Sequence, residues 1–277
     1  MAHHTYQLTA SDGIKLFAQA WMTEITPKAL VLLLHGMGEH SSRYAHVGQA
    51  FSQAGFHLFT FDRRGHGRSE GLRGYTPSGQ QLMDDITLNL DHARSVTGSA
   101  MPAFIYGHSQ GGVEALYYGL SCEPSLSGFI VTSPGLDLSW VNQVQLLVLK
   151  LLTPIFPKLS LTTGLKGQTI FTRDPVISTA GNADPLCLSK TTLRMGKTLI
   201  DIVNDIKRNA NQWHYPMLMM HSSGDLAVNI QGTEEFVEAV SYPITYKRWE
   251  GLYHELHNEP EKEQVFQTIF DWFHTQI

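Results

Sequence analysis

Four short apolar runs constrain this chain most: residues 29–34, 56–61, 103–106 and 129–132. Each stops at a polar turn bearing glycine: His35-Gly36, then Asp62-Arg63-Arg64-Gly65-His66-Gly67, then Gly107-His108-Ser109-Gln110-Gly111, then Ser133-Pro134-Gly135. Such runs are short for a buried helix, and they lack the alternation of a strand with one face in water. They suit a parallel sheet covered on both faces. Helical patterns lie between them, for example at residues 44–54 and 81–96. Strand alternating with helix predicts an α/β fold with right-handed crossovers. Further strands are expected at 217–220 and 244–249, with an N-terminal hairpin of residues 6–9 and 15–21 around Ser11-Asp12-Gly13. Residues 261–277 place apolar side chains at 265, 266, 269, 270 and 273, an amphipathic helix closing the domain.

The rhythm breaks between residues 136 and 213, where no strand pattern is visible. A connection that long is usually functional. It holds an apolar stretch at 144–152, interrupted by Gln145 and Lys150, then Pro154, Ile155, Phe156 and Pro157, and later a helix-like piece at 190–208. We read residues 1–136 and 212–277 as the core and residues 137–211 as an inserted helical cap. The alternative is that these are ordinary helices of the core.

Composition excludes several classes. With 42% hydrophobic and 16% charged residues, the 277-residue chain can bury a substantial core. A net charge of −5 with no basic block argues against nucleic acid as partner. No apolar run is long enough to span a bilayer, and the N-terminus lacks a signal-like apolar core, so a cytoplasmic protein is the default expectation. Cys122 and Cys187 form no disulfide framework and read as small apolar fillers. No His-Glu-x-x-His spacing points to a metal. Gly65-His66-Gly67-Arg68-Ser69 lacks the third glycine of a dinucleotide loop.

The chemistry centres on Gly107-His108-Ser109-Gln110-Gly111. It reads G-x-S-x-G, with an apolar run before it and a helix-like segment, residues 112–118, after it. Strand, sharp turn and helix together make a nucleophile elbow of it, with Ser109 raised at the sheet edge. A serine hydroxyl needs a base, and the base needs an orienting carboxylate. In one chain order, the acid and then the histidine follow the serine, each past the end of a late strand. Asp225 fits the acid, after residues 217–220 and Gly224; Asp201 and Asp205 are rivals that lie in a helical pattern. His254 fits the base, after residues 244–249 and Gly251; His257 is its nearest rival. Oxyanion donors are expected from the backbone N–H of Gln110 and from the His35-Gly36-Met37-Gly38 turn, with Met37 the donor.

Taken together, residues 34–44, residues 62–71, the elbow, Gly224-Asp225 and Tyr253-His254-Glu255-Leu256-His257-Asn258-Glu259 resemble the monoacylglycerol lipase and lysophospholipase family. The string His35-Gly36-Met37-Gly38-Glu39-His40, continuing to Arg43-Tyr44, carries more of the likeness than the elbow does. The resemblance implies an α/β-hydrolase core with a mostly parallel eight-stranded sheet, helices on both faces, and a helical cap over an apolar acyl tunnel. It implies Ser109, Asp225 and His254 as the triad, with Met37 and Gln110 at the oxyanion. It further implies that Glu39, Arg43 and His257 arrange the glycerol end of the pocket. Glu39 and Arg43 could equally pair and brace the oxyanion loop. Gln110 departs from the family's usual Met, and Leu226-Ala227-Val228 lacks the cysteine that mammalian relatives carry after the acid.

The expected activity is hydrolysis of a small lipid ester, most simply monoacylglycerol, with no cofactor. The enzymatic alternatives are a lysophospholipase or a general carboxylesterase. The non-enzymatic one is a hydrolase fold used as a binding protein, although such proteins often lack a triad member. Residues 144–161 are also expected to touch membranes or micelles transiently, with interior packing as the competing explanation.

Overall fold

The computed structural model describes residues 1–139, 141–164 and 169–277. The chain opens on the expected hairpin, β1 (Ala2–Thr9) paired antiparallel with β2 (Lys15–Met22). The next strand, β3 (Ala29–Leu34), is buried along its whole length. Leu30, Leu32 and Leu34 enter one apolar cluster, while Ala29, Val31 and Leu33 enter another. Side chains alternate across a strand, so only an uninterrupted apolar run satisfies two covered faces.

Then follow α1 (Ala45–Gln53), β4 (Phe56–Phe61), α2 (Gly79–Thr97), β5 (Ala103–His108), α3 (Gln110–Cys122) and β6 (Gly128–Thr132). The long connection holds α4 (Gln143–Leu152), β7 (Ser160–Thr162), α5 (Pro175–Ala183), β8 (Lys190–Thr192) and α6 (Leu193–Asn209). The sheet resumes with β9 (Met217–Ser222), α7 (Gln231–Ala239) and β10 (Thr245–Trp249), and α8 (Lys262–Phe273) closes the chain.

The main sheet has eight strands in the order β1-β2-β4-β3-β5-β6-β9-β10, parallel from β4 onward. Only the β1–β2 and β2–β4 pairings are antiparallel. Helices α1 and α8 cover one face, where Phe56 stacks on Phe273 at 4.5 Å. Helices α2, α3 and α6 cover the other, with Phe236 of α7. This is the expected α/β-hydrolase architecture. The chain winds from β3 outward to β4, then crosses back to β5 on the opposite side. The loops after the carboxyl ends of β3, β5, β9 and β10 therefore converge where open α/β sheets bind ligands.

The connection differs from expectation in two ways. It does contain strands: β7 and β8 pair antiparallel as a small separate ribbon. Three residues each, all exposed in β7, leave no periodicity to read. In addition, the span expected as cap, 137–211, ends in a helix packed like a core helix. Met195, Ile202, Val203 and Ile206 of α6 join the main apolar cluster beside α3. A helix returning the chain from β6 to the parallel neighbour β9 has to lie on the sheet this way. Trp140 and residues 165–168 of that span lie outside the described residues.

Candidate active site

The elbow forms because a single residue separates β5 from α3. Ser109 takes φ 54° and ψ −116°, a left-handed conformation rare for a residue with a side chain. Its N–H donates to Thr132 O at 2.9 Å, and its carbonyl accepts the Val113 N–H at 3.1 Å. The flanking glycines are sterically required. A β-carbon at Gly107 would lie 2.3 Å from Gly111 O, and one at Gly111 would lie 2.1 Å from Leu34 O.

The three residues proposed from distant loops meet here. His254 Nε2 lies 2.9 Å from Ser109 Oγ, and His254 Nδ1–H donates to Asp225 Oδ2 at 2.7 Å. Asp225 sits just past β9 and His254 just past β10. The other carboxylate oxygen of Asp225 accepts the N–H groups of Ala227 and Val228, both at 2.8 Å. Burial alone would raise the Asp225 carboxyl, but the imidazoles of His254 and His221 outweigh it and hold it well below the ordinary range. Burial would likewise lower His254, yet the Asp225 carboxylate keeps its pKa above the usual histidine value. The rivals lie elsewhere: Asp201 and Asp205 pair with Lys197 and Arg208 on the outside of α6.

Sequence reasoning missed His221. It lies buried near the end of β9, with Nε2 3.0 Å from Asp225 Oδ2 and Nδ1 2.7 Å from Thr233 Oγ1. A histidine closing an otherwise apolar strand four residues before the acid was the available signal.

A second network joins the two segments expected to donate to an oxyanion. Arg63 Nη2 donates to His35 O at 2.8 Å and to Glu114 Oε2 at 2.7 Å. Glu114 Oε1 accepts from the side-chain amide of Gln110 at 2.8 Å. Both members of the ion pair are 3% exposed, so each charge depends on the other. The turn after β3 and the start of α3 are thus tied through one buried pair, and Gln110 has a use for its side chain that a methionine would not.

Glu39 braces the same turn from the other side. Its carboxylate accepts from Gly36 N–H at 3.0 Å, Tyr44 OH at 2.7 Å and Arg43 Nε at 2.9 Å. Burial opposes ionisation, but Arg43 and the Tyr44 hydroxyl bring Glu39 down to about 2. Bracing is therefore the role of Glu39 and Arg43 for which the contacts are present, although both also line the cavity.

His257 lies outside the cavity wall. It is 1% exposed, stacks on Tyr44 at 4.7 Å and meets His108 edge-on at 4.7 Å. His257, expected to help arrange the glycerol end, touches His108 and Tyr44 rather than the cavity itself. Burial drives the pKa of His257 far below the ordinary value and brings His108 to about 3, so both rings are neutral.

Ser109 and His254 open onto a cavity of about 790 Å³. Its wall is apolar over much of its area, with Val113, Leu149, Leu199 and Val203 among its residues. Glu39, Arg43 and Glu255 line it too. Glu255, also unforeseen, follows His254 directly, and its N–H donates to Phe171 O at 2.7 Å. Cys187, expected as an apolar filler, is half-buried and lines the cavity.

The chain matches the family described as serine aminopeptidase, S33, over residues 25–261. It is 31% identical to the monoglyceride lipase of Rattus norvegicus, covering 98% of this chain and 90% of that one. It is 34% identical along its full length to an uncharacterized abhydrolase domain-containing protein of Dictyostelium discoideum, but spans only 30% of that protein. Among solved structures, the monoacylglycerol lipase of Paleococcus ferrophilus superimposes with a TM-score of 0.84 at 28% identity, over 95% of this chain and 99% of that one. The chain belongs to the serine aminopeptidase S33 family of α/β hydrolases and is a serine ester hydrolase.

Proposed function

We propose that the chain hydrolyses monoacylglycerols to fatty acid and glycerol, with Ser109 as nucleophile, His254 as general base and acid, and Asp225 as its orienting carboxylate. The observation that carries this reading is the hydrogen-bonded line from Ser109 through His254 to Asp225, opening on a mostly apolar cavity whose wall includes the Glu39, Arg43 and Glu255 cluster. His254 Nε2 takes the Ser109 proton as Oγ attacks the ester carbonyl. The N–H groups of Met37 and Gln110 receive the oxyanion, and loss of one such donor removes about 3 kcal/mol of transition-state stabilisation. His254 then protonates the departing glycerol oxygen. Water, deprotonated by the same imidazole, attacks the acyl-serine and releases the fatty acid.

Rates on monoacylglycerols of increasing acyl length, on lysophosphatidylcholine and on p-nitrophenyl esters test this. The highest kcat/KM is expected on a monoacylglycerol. A higher value on lysophosphatidylcholine would replace this reading with a lysophospholipase.

Residues 137–192 act as the cap in this proposal, and α4 as its lipid-facing element. A capping box of Asn142 and Gln145 fixes the start of α4, yet none of its residues is buried. Val144, Leu147, Leu151, Ile155, Phe156 and Leu159 are all exposed, a contiguous stretch of sequence that water alone does not favour. No described helix is long and apolar enough to cross a membrane. Contact would therefore be peripheral. Co-flotation with neutral liposomes at low salt is expected and should weaken in Leu151→Ser/Phe156→Ser; wild-type protein that stays with the soluble fraction sinks the docking idea.

A further inference from the structure

In the cavity wall, one guanidinium serves two carboxyl groups. Arg43 Nε donates to Glu39 at 2.9 Å, and its Nη2 approaches Glu255 at 3.3 Å. Glu255 is 5% exposed, and the same oxygen also accepts from the Asn258 side-chain amide at 2.6 Å. Arg43 is the one arginine or lysine among the described residues lining the cavity, whereas Glu39, Glu255 and Asp137 are acids there.

We propose that Glu255 determines the headgroup this enzyme accepts, admitting an uncharged polyol and refusing a phosphate. The inference rests on the reading of the chain as an acylglycerol hydrolase. Phosphate is recognised by an arginine fork with two N–H groups free to bind it side by side. Here the Nε edge is taken by Glu39 and Nη2 is drawn to Glu255. Glu39, paired with Arg43 at 2.9 Å, offsets the guanidinium charge, so the wall offers an anion little net attraction. A hydroxyl meets the opposite situation. It donates readily to carboxyl oxygens, and the carboxyl groups of Glu39 and Glu255 both line the cavity onto which His254 opens. Removing Glu255 frees Nη2 and removes an acid from the path of the anion.

The test compares kcat/KM on 1-monoacylglycerol with that on lysophosphatidic acid of the same acyl chain, each divided by the same protein's rate on the matching p-nitrophenyl ester. Wild type should prefer the monoacylglycerol by ~100-fold or more. Glu255→Ala should shrink that preference about tenfold, chiefly by raising the phosphate-bearing substrate, and Glu255→Gln should fall between. Fluorophosphonate labelling of each variant verifies an intact site. Wild type that turns over both lipids equally overturns the proposal, as does a preference unmoved in both variants. Wild type active on the p-nitrophenyl ester alone would remove the acylglycerol reading and this inference with it.

Discussion

Ser109→Ala should lower kcat on monoacylglycerol by about 10⁶-fold while leaving the protein folded. Without Oγ there is no acyl-enzyme, and nothing nearby replaces it. Ser133, the adjacent loop hydroxyl, donates to the carbonyl of His254 at 2.9 Å and so is turned away from the ring. The stability effect should be small. Alanine keeps the same β-carbon at φ 54°, so the backbone strain of the elbow is unchanged. What is lost is one partly buried hydrogen bond, about 1 kcal/mol, equivalent to a few degrees in Tm. Pre-steady-state assays with a fluorogenic ester, fluorophosphonate labelling and a thermal scan check this together. Residual kcat within about 100-fold of wild type would remove Ser109 from the chemistry.

What could be read in advance follows physical lines. Strands β3 to β6 and β9 declared themselves because both faces are buried, which favours a largely apolar sequence. The edge strand β10 is less clear-cut: Lys247 and Arg248 interrupt it, as an open edge allows. Ser109, Asp225 and His254 were legible because each sits at a strand end with a glycine close before it, a local pattern. The buried ion pairs around them were not. Glu114 finds Arg63 from 51 positions away, and Arg43 finds Glu255 from 212 away. A single sequence carries no distances, and a buried carboxylate looks like any other glutamate until its cation is known. The cap was least legible. Its strands are three residues each, β7 is exposed throughout, and no residue of α4 is fully buried, so no burial pattern marks them.

Asp225→Asn should lower kcat by about 10⁴-fold, and the structure dictates how. The N–H groups of Ala227 and Val228 both point at Oδ1, so an asparagine is forced to place its carbonyl oxygen there. Its NH₂ then replaces Oδ2 and donates to His254 Nδ1. The imidazole must carry its proton on Nε2, facing Ser109, and the base is lost. His221 Nε2 would face the same amide and has the Val228 carbonyl, 3.3 Å away, as its remaining acceptor.

The pH dependence gives an independent readout. On the proposed mechanism, wild-type activity needs neutral His254. Its pKa is held up by the Asp225 carboxylate, so kcat/KM should fall on the acid side with an inflection above the ordinary value of about 6.5. Removing the carboxylate lets burial dominate, so the acid limb of the residual activity should move to lower pH. Stability runs the other way. The raised His254 pKa contributes stability in full below its unfolded value, and that contribution is lost as pH rises through the folded one. The depressed Asp225 pKa contributes above its own unfolded value and loses this as pH falls through the folded one. The wild-type advantage in Tm over Asp225→Asn should therefore be largest between about pH 4 and 6.5, on the acid flank of the activity profile. An acid limb that stays in place in the variant, or a kcat loss below tenfold, would show that Asp225 does not govern the imidazole.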